Sequence, residues 1–95
     1  MIMMKVRFES ELTEEQVYQV AEERLPQFRE VPGLVQKYYL SCAEPNFYSG
    51  IYIWESEEAM KAFAQSELAR TIPLAYMVKG QPTREFTQIF TTLRD

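Results

Sequence analysis

Hydrophobic and polar residues alternate at the start of the chain. Over residues 3–9, Met4, Val6 and Phe8 fall on one side of an extended backbone, and mostly charged residues fall on the other side. Because successive side chains of a strand point to opposite faces, this alternation predicts a β-strand with one apolar face. We expect that face to cover part of a hydrophobic core.

The pattern becomes helical at Thr13. Thr13 and Gln16 have the spacing of a capping box, in which two side chains satisfy each other's free backbone N–H groups. Apolar residues then return to one helical face at Val17, Val20, Ala21 and Leu25. Pro26 has no N–H and restricts the residue before it, so we expect the helix to kink or restart there before it ends at residues 31–33.

Two further strands follow. Residues 34–41 and 49–55 are rich in aromatic and β-branched side chains, which favour a pleated surface. Residues 44–46, Glu-Pro-Asn, supply turn chemistry between them. The short separation predicts an antiparallel hairpin.

The last third of the chain predicts a helix, a short extra turn and a strand. Ser56 has the chemistry and position of a helix cap. After Leu68 the helical pattern loosens, and Thr71 is expected to start a short extra turn of helix that ends near Gly80 in a left-handed cap. Residues 83–93 alternate again, which predicts the final strand.

The order βαββαβ predicts a ferredoxin-like α+β fold over one domain, residues 1–95. Its four-stranded antiparallel sheet carries both helices on one face. The third strand places Ile51 and Ile53 on one side and Tyr52 and Trp54 on the other, so both sheet faces are apolar. Because a chain of this size has a thin core, we expect the uncovered face to pack on a second copy, forming a homodimer around a cleft.

Composition narrows the function classes. Fourteen acidic against ten basic residues give a net charge of −4, which argues against nucleic acid as a partner. A single cysteine forms no disulfide framework, which favours a reducing, cytoplasmic location. With no histidine, the usual nitrogen ligand of zinc, copper and haem iron is missing. No apolar run approaches the length of a membrane span.

Aromatic and basic residues on the strands are candidate ligand contacts. Trp54 and Tyr52 share a strand face and would stack on a flat aromatic ligand if that face lines the cleft. The same pair is equally typical of a buried dimer core, since aromatic residues are enriched at interfaces. Arg7 lies on the polar side of the first strand, where a guanidinium would hold a carboxylate or phenolate; the alternative is a solvated edge charge.

Lys37 and Tyr39 share one face of the second strand and could present an ammonium and a phenol to a substrate. Tyr38 and Leu40 make the opposite face equally bulky. The sequence therefore leaves open which face of this strand lines the cleft.

Three segments resemble a known family. VPGLVQKYYL, GIYIWESEEAM and SELARTIPLAYMVKGQP lie between residues 31 and 82 and are similar to antibiotic-biosynthesis-monooxygenase-like proteins. Members of that family are dimeric α+β barrels of two ferredoxin-like subunits, so the resemblance implies the fold that the element order predicts. In haem-degrading and polyketide-oxidising members the tryptophan in the position of Trp54 faces the ligand cleft, and the resemblance implies Trp54 as the catalytic residue.

Haem-degrading members use an asparagine on the first strand and a histidine on the second helix, and this chain has neither. The resemblance therefore implies the branch that oxidises electron-rich phenols directly with oxygen, with no cofactor and no metal. We expect a cytoplasmic homodimeric monooxygenase for a small aromatic or polyketide-like molecule. The expected substrate contacts are Arg7, Lys37, Tyr39 and Tyr52. A non-catalytic ligand carrier or sensor on the same barrel, and a purely structural dimer module, are the alternatives.

Overall fold

Four antiparallel strands form one sheet in the order β2-β3-β1-β4. The computed structural model describes residues 1–94. Its elements are β1 (Ile2–Ser10), α1 (Glu14–Arg29), β2 (Leu34–Ser41), β3 (Phe47–Trp54), α2 (Glu57–Ala64), α3 (Glu67–Ala75) and β4 (Val78–Gln88). This arrangement confirms the ferredoxin-like α+β fold, with one helix more than the predicted order.

The strand register defines two faces of the sheet. Met4 lies opposite Tyr52 on β3 and Phe86 on β4, and Tyr52 lies opposite Lys37 on β2. We call this side the helix face, because its central residues pack against α1 and α2. The neighbouring positions form the open face, where Lys5, Ile51, Tyr38 and Glu85 share one row.

The helix α1 begins as the sequence predicts. Thr13 is its N-cap, and its hydroxyl and the Gln16 side chain form both bonds of the capping box. The predicted restart at Pro26 is wrong, since α1 is continuous to Arg29. The proline removes one backbone bond close to the helix end, and the buried ring of Phe28 in the following turn packs at 6.4 Å from the Tyr52 ring and 6.0 Å from the Phe63 ring.

Ser56 caps α2 as predicted, but α3 begins earlier than the sequence indicates. The hydroxyl of Ser66 accepts a hydrogen bond from the N–H of Ala69 and donates one to the carbonyl of Phe63. One serine therefore ends α2 and starts α3. The expected start at Thr71 and end near Gly80 are both wrong, because α3 ends at Ala75.

The last strand also starts earlier than expected, at Val78 instead of residue 83, and ends at Gln88 instead of residue 93. Arg7 pairs with Thr83 and Glu9 pairs with Lys79, so three residues of β4 oppose one residue of β1. Gly80 has a φ of +72° within this irregular stretch. A bulge thus accommodates Gly80, which in the sequence resembles the end of a helix.

Two buried clusters fill the space between the sheet and the helices. The larger contains Met4, Phe28, Tyr52, Trp54 and Phe63. The smaller contains Val17, Tyr48 and Tyr76. Within residues 1–94, no helix combines the length and the apolar character needed to cross a membrane.

Candidate functional site

A large cavity lies between the helix face of the sheet and helices α2 and α3. Its volume is about 560 Å³, within the range of about 300–1,000 Å³ typical of small-molecule sites. Apolar side chains from β1, α2, α3 and β4 form most of its wall, among them Val6, Met60, Ile72 and Phe86. The sequence predicts a homodimer packed sheet to sheet with a hydrophobic cleft in each subunit, and this cavity is formed by a single chain.

Tyr52 is a polar group in the wall of the large cavity. It also lines a smaller cavity of about 70 Å³ on the side of α1 and β2. The two cavities share Val6, Phe8, Tyr52 and Ile72 as wall residues. Tyr52 is thus part of the boundary between the two cavities and contacts both.

Lys37 lines the smaller cavity and lies among aromatic rings. Its Nζ atom is 3.7 Å from the ring centroid of Phe28, 4.3 Å from that of Tyr39 and 4.6 Å from that of Tyr52. Electron-rich ring faces attract an ammonium group. The ion pairs formed by the described residues join Arg7 to Glu44 and Lys61 to Glu57, so no carboxylate balances the charge of Lys37.

Burial lowers the pKa of Lys37 to about 7, and the positive charge of Arg24 adds to this effect. Arg24 is held nearby because its guanidinium donates hydrogen bonds to the carbonyl of Leu68 at 3.1 Å and to the hydroxyl of Thr71 at 2.9 Å. A lysine with a pKa near 7 is about half neutral at neutral pH. Its amine can therefore accept a proton there, which an ordinary lysine cannot do.

The tyrosines of the site stay protonated. Burial raises the pKa of Tyr39 and of Tyr52 above the ordinary tyrosine value. Burial also raises the pKa of Tyr76, which lines the smaller cavity, to about 12. Near neutral pH these phenols act as hydrogen-bond donors and not as bases.

Trp54 lies behind the site. Its side chain is 0% exposed and its ring is stacked on Tyr52, with 5.9 Å between centroids and 5° between planes. The indole lines neither the large nor the small cavity, and its Nε1 has no hydrogen-bond partner among the described residues. Trp54 thus reaches the cavities only through Tyr52.

Arg7 lies apart from the other candidates. It is on the open face, where its guanidinium donates a 2.6 Å hydrogen bond to the carboxylate of Glu44 and lies 4.1 Å from the ring centroid of Phe47. The structure therefore brings together Lys37, Tyr39 and Tyr52, places Trp54 directly behind Tyr52, and leaves Arg7 on the other side of the sheet.

Arg70 and Arg84 line the large cavity, and sequence reasoning missed both. Arg84 lies opposite Val6 in the β1–β4 pairing, on the same face as Phe86. Arg84 and Phe86 are two residues apart in the final strand and therefore share a face, so the alternation of the sequence could have identified Arg84 as a neighbour of the apolar wall. Arg70 had no such signal, because it falls where the helical pattern of the sequence loosens.

Comparisons with known proteins bear on the fold. Neither a protein-family model nor a curated protein matches the sequence. Among solved structures, a protein of unknown function from Nitrosomonas europaea superposes with a TM-score of 0.79 at 15% identity, covering 99% of this chain and 93% of that one.

Two oxygenases have the same fold. SnoaB, a cofactor-independent oxygenase from Streptomyces nogalater, gives a TM-score of 0.78 at 17% identity, over 99% of this chain and 97% of that one. The monooxygenase ActVA-Orf6 from Streptomyces coelicolor, solved in complex with nanaomycin D, gives a TM-score of 0.74 at 18% identity. The superposition covers 99% of this chain and 91% of that one. The resemblance is therefore confirmed at the level of the fold: this chain has the fold of the antibiotic biosynthesis monooxygenases.

Proposed function

We propose that this protein is a cofactor-independent monooxygenase that oxidises a small, electron-rich phenol in the large cavity. The observation that carries the proposal is the apolar cavity of about 560 Å³ whose Tyr52 wall is backed by Lys37, an amine with a pKa of about 7. The fold shared with SnoaB and ActVA-Orf6 supports the same reaction class.

Molecular oxygen is the only co-reactant that the reaction needs. A phenol with a free para position loses its hydroxyl proton and its para hydrogen. One oxygen atom of O2 becomes the new carbonyl oxygen of a quinone, and the other leaves as water with the two hydrogens. The substrate supplies all four electrons, so the protein's contribution is to bind the phenol, take up its proton and exclude water from the reactive anion.

The proposal assigns a role to each residue near the cavity. The phenolic hydroxyl reaches past Tyr52 into the smaller cavity, which Lys37 lines, so that the amine accepts the phenolic proton there. Tyr39 shields the amine from water on the side of β2 and keeps its pKa low. Trp54 supports the ring of Tyr52 from behind. Arg7 has no part in this site because it faces away from it.

The proposal includes a homodimer formed through the open face. Apolar side chains lie together there, and no element within residues 1–94 covers them. They include Met3, Tyr38, Ile51 and Ile53. Packing this face on a second copy would remove apolar area from water. The resulting pair of sheets would hold the two cavities on its outer sides, each within one subunit.

Oxygen consumption tests the activity. Purified protein is incubated with 1-naphthol, which would give 1,4-naphthoquinone and water, and with a panel of dihydroxynaphthalenes and anthrones in an oxygen electrode. We expect stimulated oxygen uptake by the wild type and a loss of at least about tenfold in Lys37→Met. The exposed-lysine variant Lys79→Met is the control and should keep full activity. No stimulation across the panel would contradict the proposal.

A non-catalytic ligand-binding protein is the second candidate. One observation favours it: the indole of Trp54, which the family resemblance implies as catalytic, lines neither cavity. Saturable binding of the same phenols without oxygen uptake would select this alternative. The open cavity argues against a purely structural module, whose interior would be filled.

A further inference from the structure

The charged residues that line the large cavity all have the same sign. They are Lys61 on α2, Arg70 on α3 and Arg84 on β4. The chain as a whole has fourteen acidic and ten basic residues, yet none of the acidic side chains within residues 1–94 lines this cavity. The wall is thus positive in a protein that is negative overall, and such a wall attracts anions.

The two arginines are available to a ligand. Lys61 pairs with Glu57 at 2.9 Å, so part of its charge is already balanced. Among the described residues, neither Arg70 nor Arg84 forms an ion pair. Arg7 and Arg24 differ, because the first is bonded to a carboxylate and the second to a carbonyl and a hydroxyl.

The arginines approach the cavity from its two walls. Arg70 belongs to the helical wall, and Arg84 to the sheet wall beside Val6. A guanidinium presents a planar fork of N–H donors that matches a carboxylate. Both side chains belong to exposed residues, so they lie at the rim while apolar residues form the interior.

We infer that the substrate of the proposed monooxygenase carries a carboxylate, which Arg70 and Arg84 bind at the rim while the phenolic ring occupies the apolar interior. This inference rests on the proposed function for the same cavity. A phenol that is neutral at pH 7 would leave both guanidinium groups without a partner, whereas an aromatic acid matches an apolar interior and a positive rim together.

A matched pair of fluorescent naphthols tests the inference. 6-Hydroxy-2-naphthoate and 6-hydroxy-2-naphthamide have the same ring system and differ in charge. Binding is followed by the fluorescence of each compound at low and high salt. We expect the carboxylate to bind the wild type at least about tenfold more tightly than the amide, with the preference shrinking at high salt. The double variant Arg70→Gln, Arg84→Gln should bind both compounds equally.

Arg29→Gln is the control, since Arg29 is an exposed arginine at the end of α1 that lines neither cavity. This variant should keep the full preference. Circular dichroism checks that all variants are folded, which the exposed positions favour. Equal binding of the two compounds by the wild type, a preference that survives in the double variant, or a preference lost in Arg29→Gln would overturn the inference. Oxidation of neutral 1-naphthol reports on the proposed function separately, because that substrate has no carboxylate.

Discussion

Lys37 combines properties that oppose each other energetically. Its position among three aromatic rings favours the ammonium form, whereas the loss of water and the charge of Arg24 favour the neutral amine. The lowered pKa means that the second effect is the larger. A charged Lys37 therefore destabilises the fold.

Replacing Lys37 by methionine should stabilise the protein in a pH-dependent way. Between pH 7 and the ordinary lysine pKa of 10.5, the unfolded chain holds a proton that the folded chain has lost, so the free energy of unfolding of the wild type rises with pH. Below pH 7 the full cost is present. We expect Lys37→Met to raise the free energy of unfolding by about 2–4 kcal/mol at pH 6, and by progressively less toward pH 10.

Urea unfolding at pH 6, 8 and 10 measures this difference. Lys79→Met is the matched control and should change the free energy of unfolding by at most about 0.5 kcal/mol at each pH. A gain for Lys37→Met that is constant across the three pH values would mean that the amine is not neutral in the folded protein.

Gly33 is required at its position for two separate reasons. Its φ is +76°, and a Cβ atom at this position would overlap the Cβ of Ala59. Gly80 has a similar φ of +72° but open space around it. A side chain at Gly80 would meet backbone strain alone, whereas a side chain at Gly33 would meet both backbone strain and steric overlap.

Alanine substitutions at the two glycines should therefore differ. We expect Gly80→Ala to lower the free energy of unfolding by about 1 kcal/mol, the cost of a left-handed residue with a side chain. Gly33→Ala should lower it by about 2–4 kcal/mol, because Ala59 and helix α2 must also move. Denaturant titration measures both values, and equal losses would show that α2 yields without cost.

The orientation of Lys37 and Tyr39 shows what a single strand can and cannot predict. Tyr38 and Leu40 are as bulky as their neighbours, so the strand alone does not identify its inner face. The pairing with β3 does, because Lys37 lies opposite Tyr52 and shares its face. The sequence indicated which residues share a face, and the register was needed to say which face it is.

At the scale of elements, local hydrogen bonding was predictable and element length was not. The caps at Thr13 and Ser56 follow from side-chain chemistry within a few residues and are confirmed. The errors at Pro26 and Gly80 are of one kind, because each residue resembles a boundary in the sequence and neither is one in the structure. Helix α1 continues past Pro26 to Arg29 with Phe28 buried, and β4 continues through Gly80 because it pairs with β1 on both sides of the bulge. Residues that disfavour an element locally do not end it when its packing or its strand pairing continues.

Ser66 gives a test of this element-scale interpretation. Its hydroxyl makes two bonds, whereas the hydroxyl of Ser56 makes one, to the N–H of Ala59. We expect Ser56→Ala to lower the free energy of unfolding by about 1 kcal/mol, as is usual for a lost N-cap. Ser66→Ala should lower it by about 1.5–2.5 kcal/mol, because the carbonyl of Phe63 loses its donor as well.

Chemical denaturation of both serine variants provides the comparison. Since Ser66 also fixes the start of the helix that carries Arg70 and Ile72 into the cavity wall, Ser66→Ala should weaken naphthol binding as well. If Ser66→Ala costs no more than Ser56→Ala, the junction between α2 and α3 is held by packing and not by this hydroxyl.

At the scale of the whole molecule, the helices cover one side of the sheet only. The helix face contains both buried clusters and both cavities that Tyr52 lines. On the open face Tyr38 is 52% exposed and Leu40 is 39% exposed. The fold could be predicted because this two-layer arrangement follows from element order and alternation. The place of the cavity could not, because it depends on how far α2 and α3 stand from the sheet.

The proposed dimer predicts that a charge on the open face separates the subunits. Ile51 is central in that face, between Tyr38 on β2 and Lys5 on β1, so Ile51→Glu would bury two carboxylates in the interface of a symmetric pair. We expect the wild type to sediment as a dimer at micromolar concentration, and Ile51→Glu to raise the dissociation constant at least about hundredfold. Leu74→Glu is the control. Leu74 is an apolar side chain that is 80% exposed, but it lies on α3, on the helical side of the molecule and away from the proposed interface. A wild type that sediments as a single subunit, or equal effects of the two variants, would contradict the interface. If the wild type sediments as a single subunit, the proposed reaction remains possible, since the large cavity is formed within one chain.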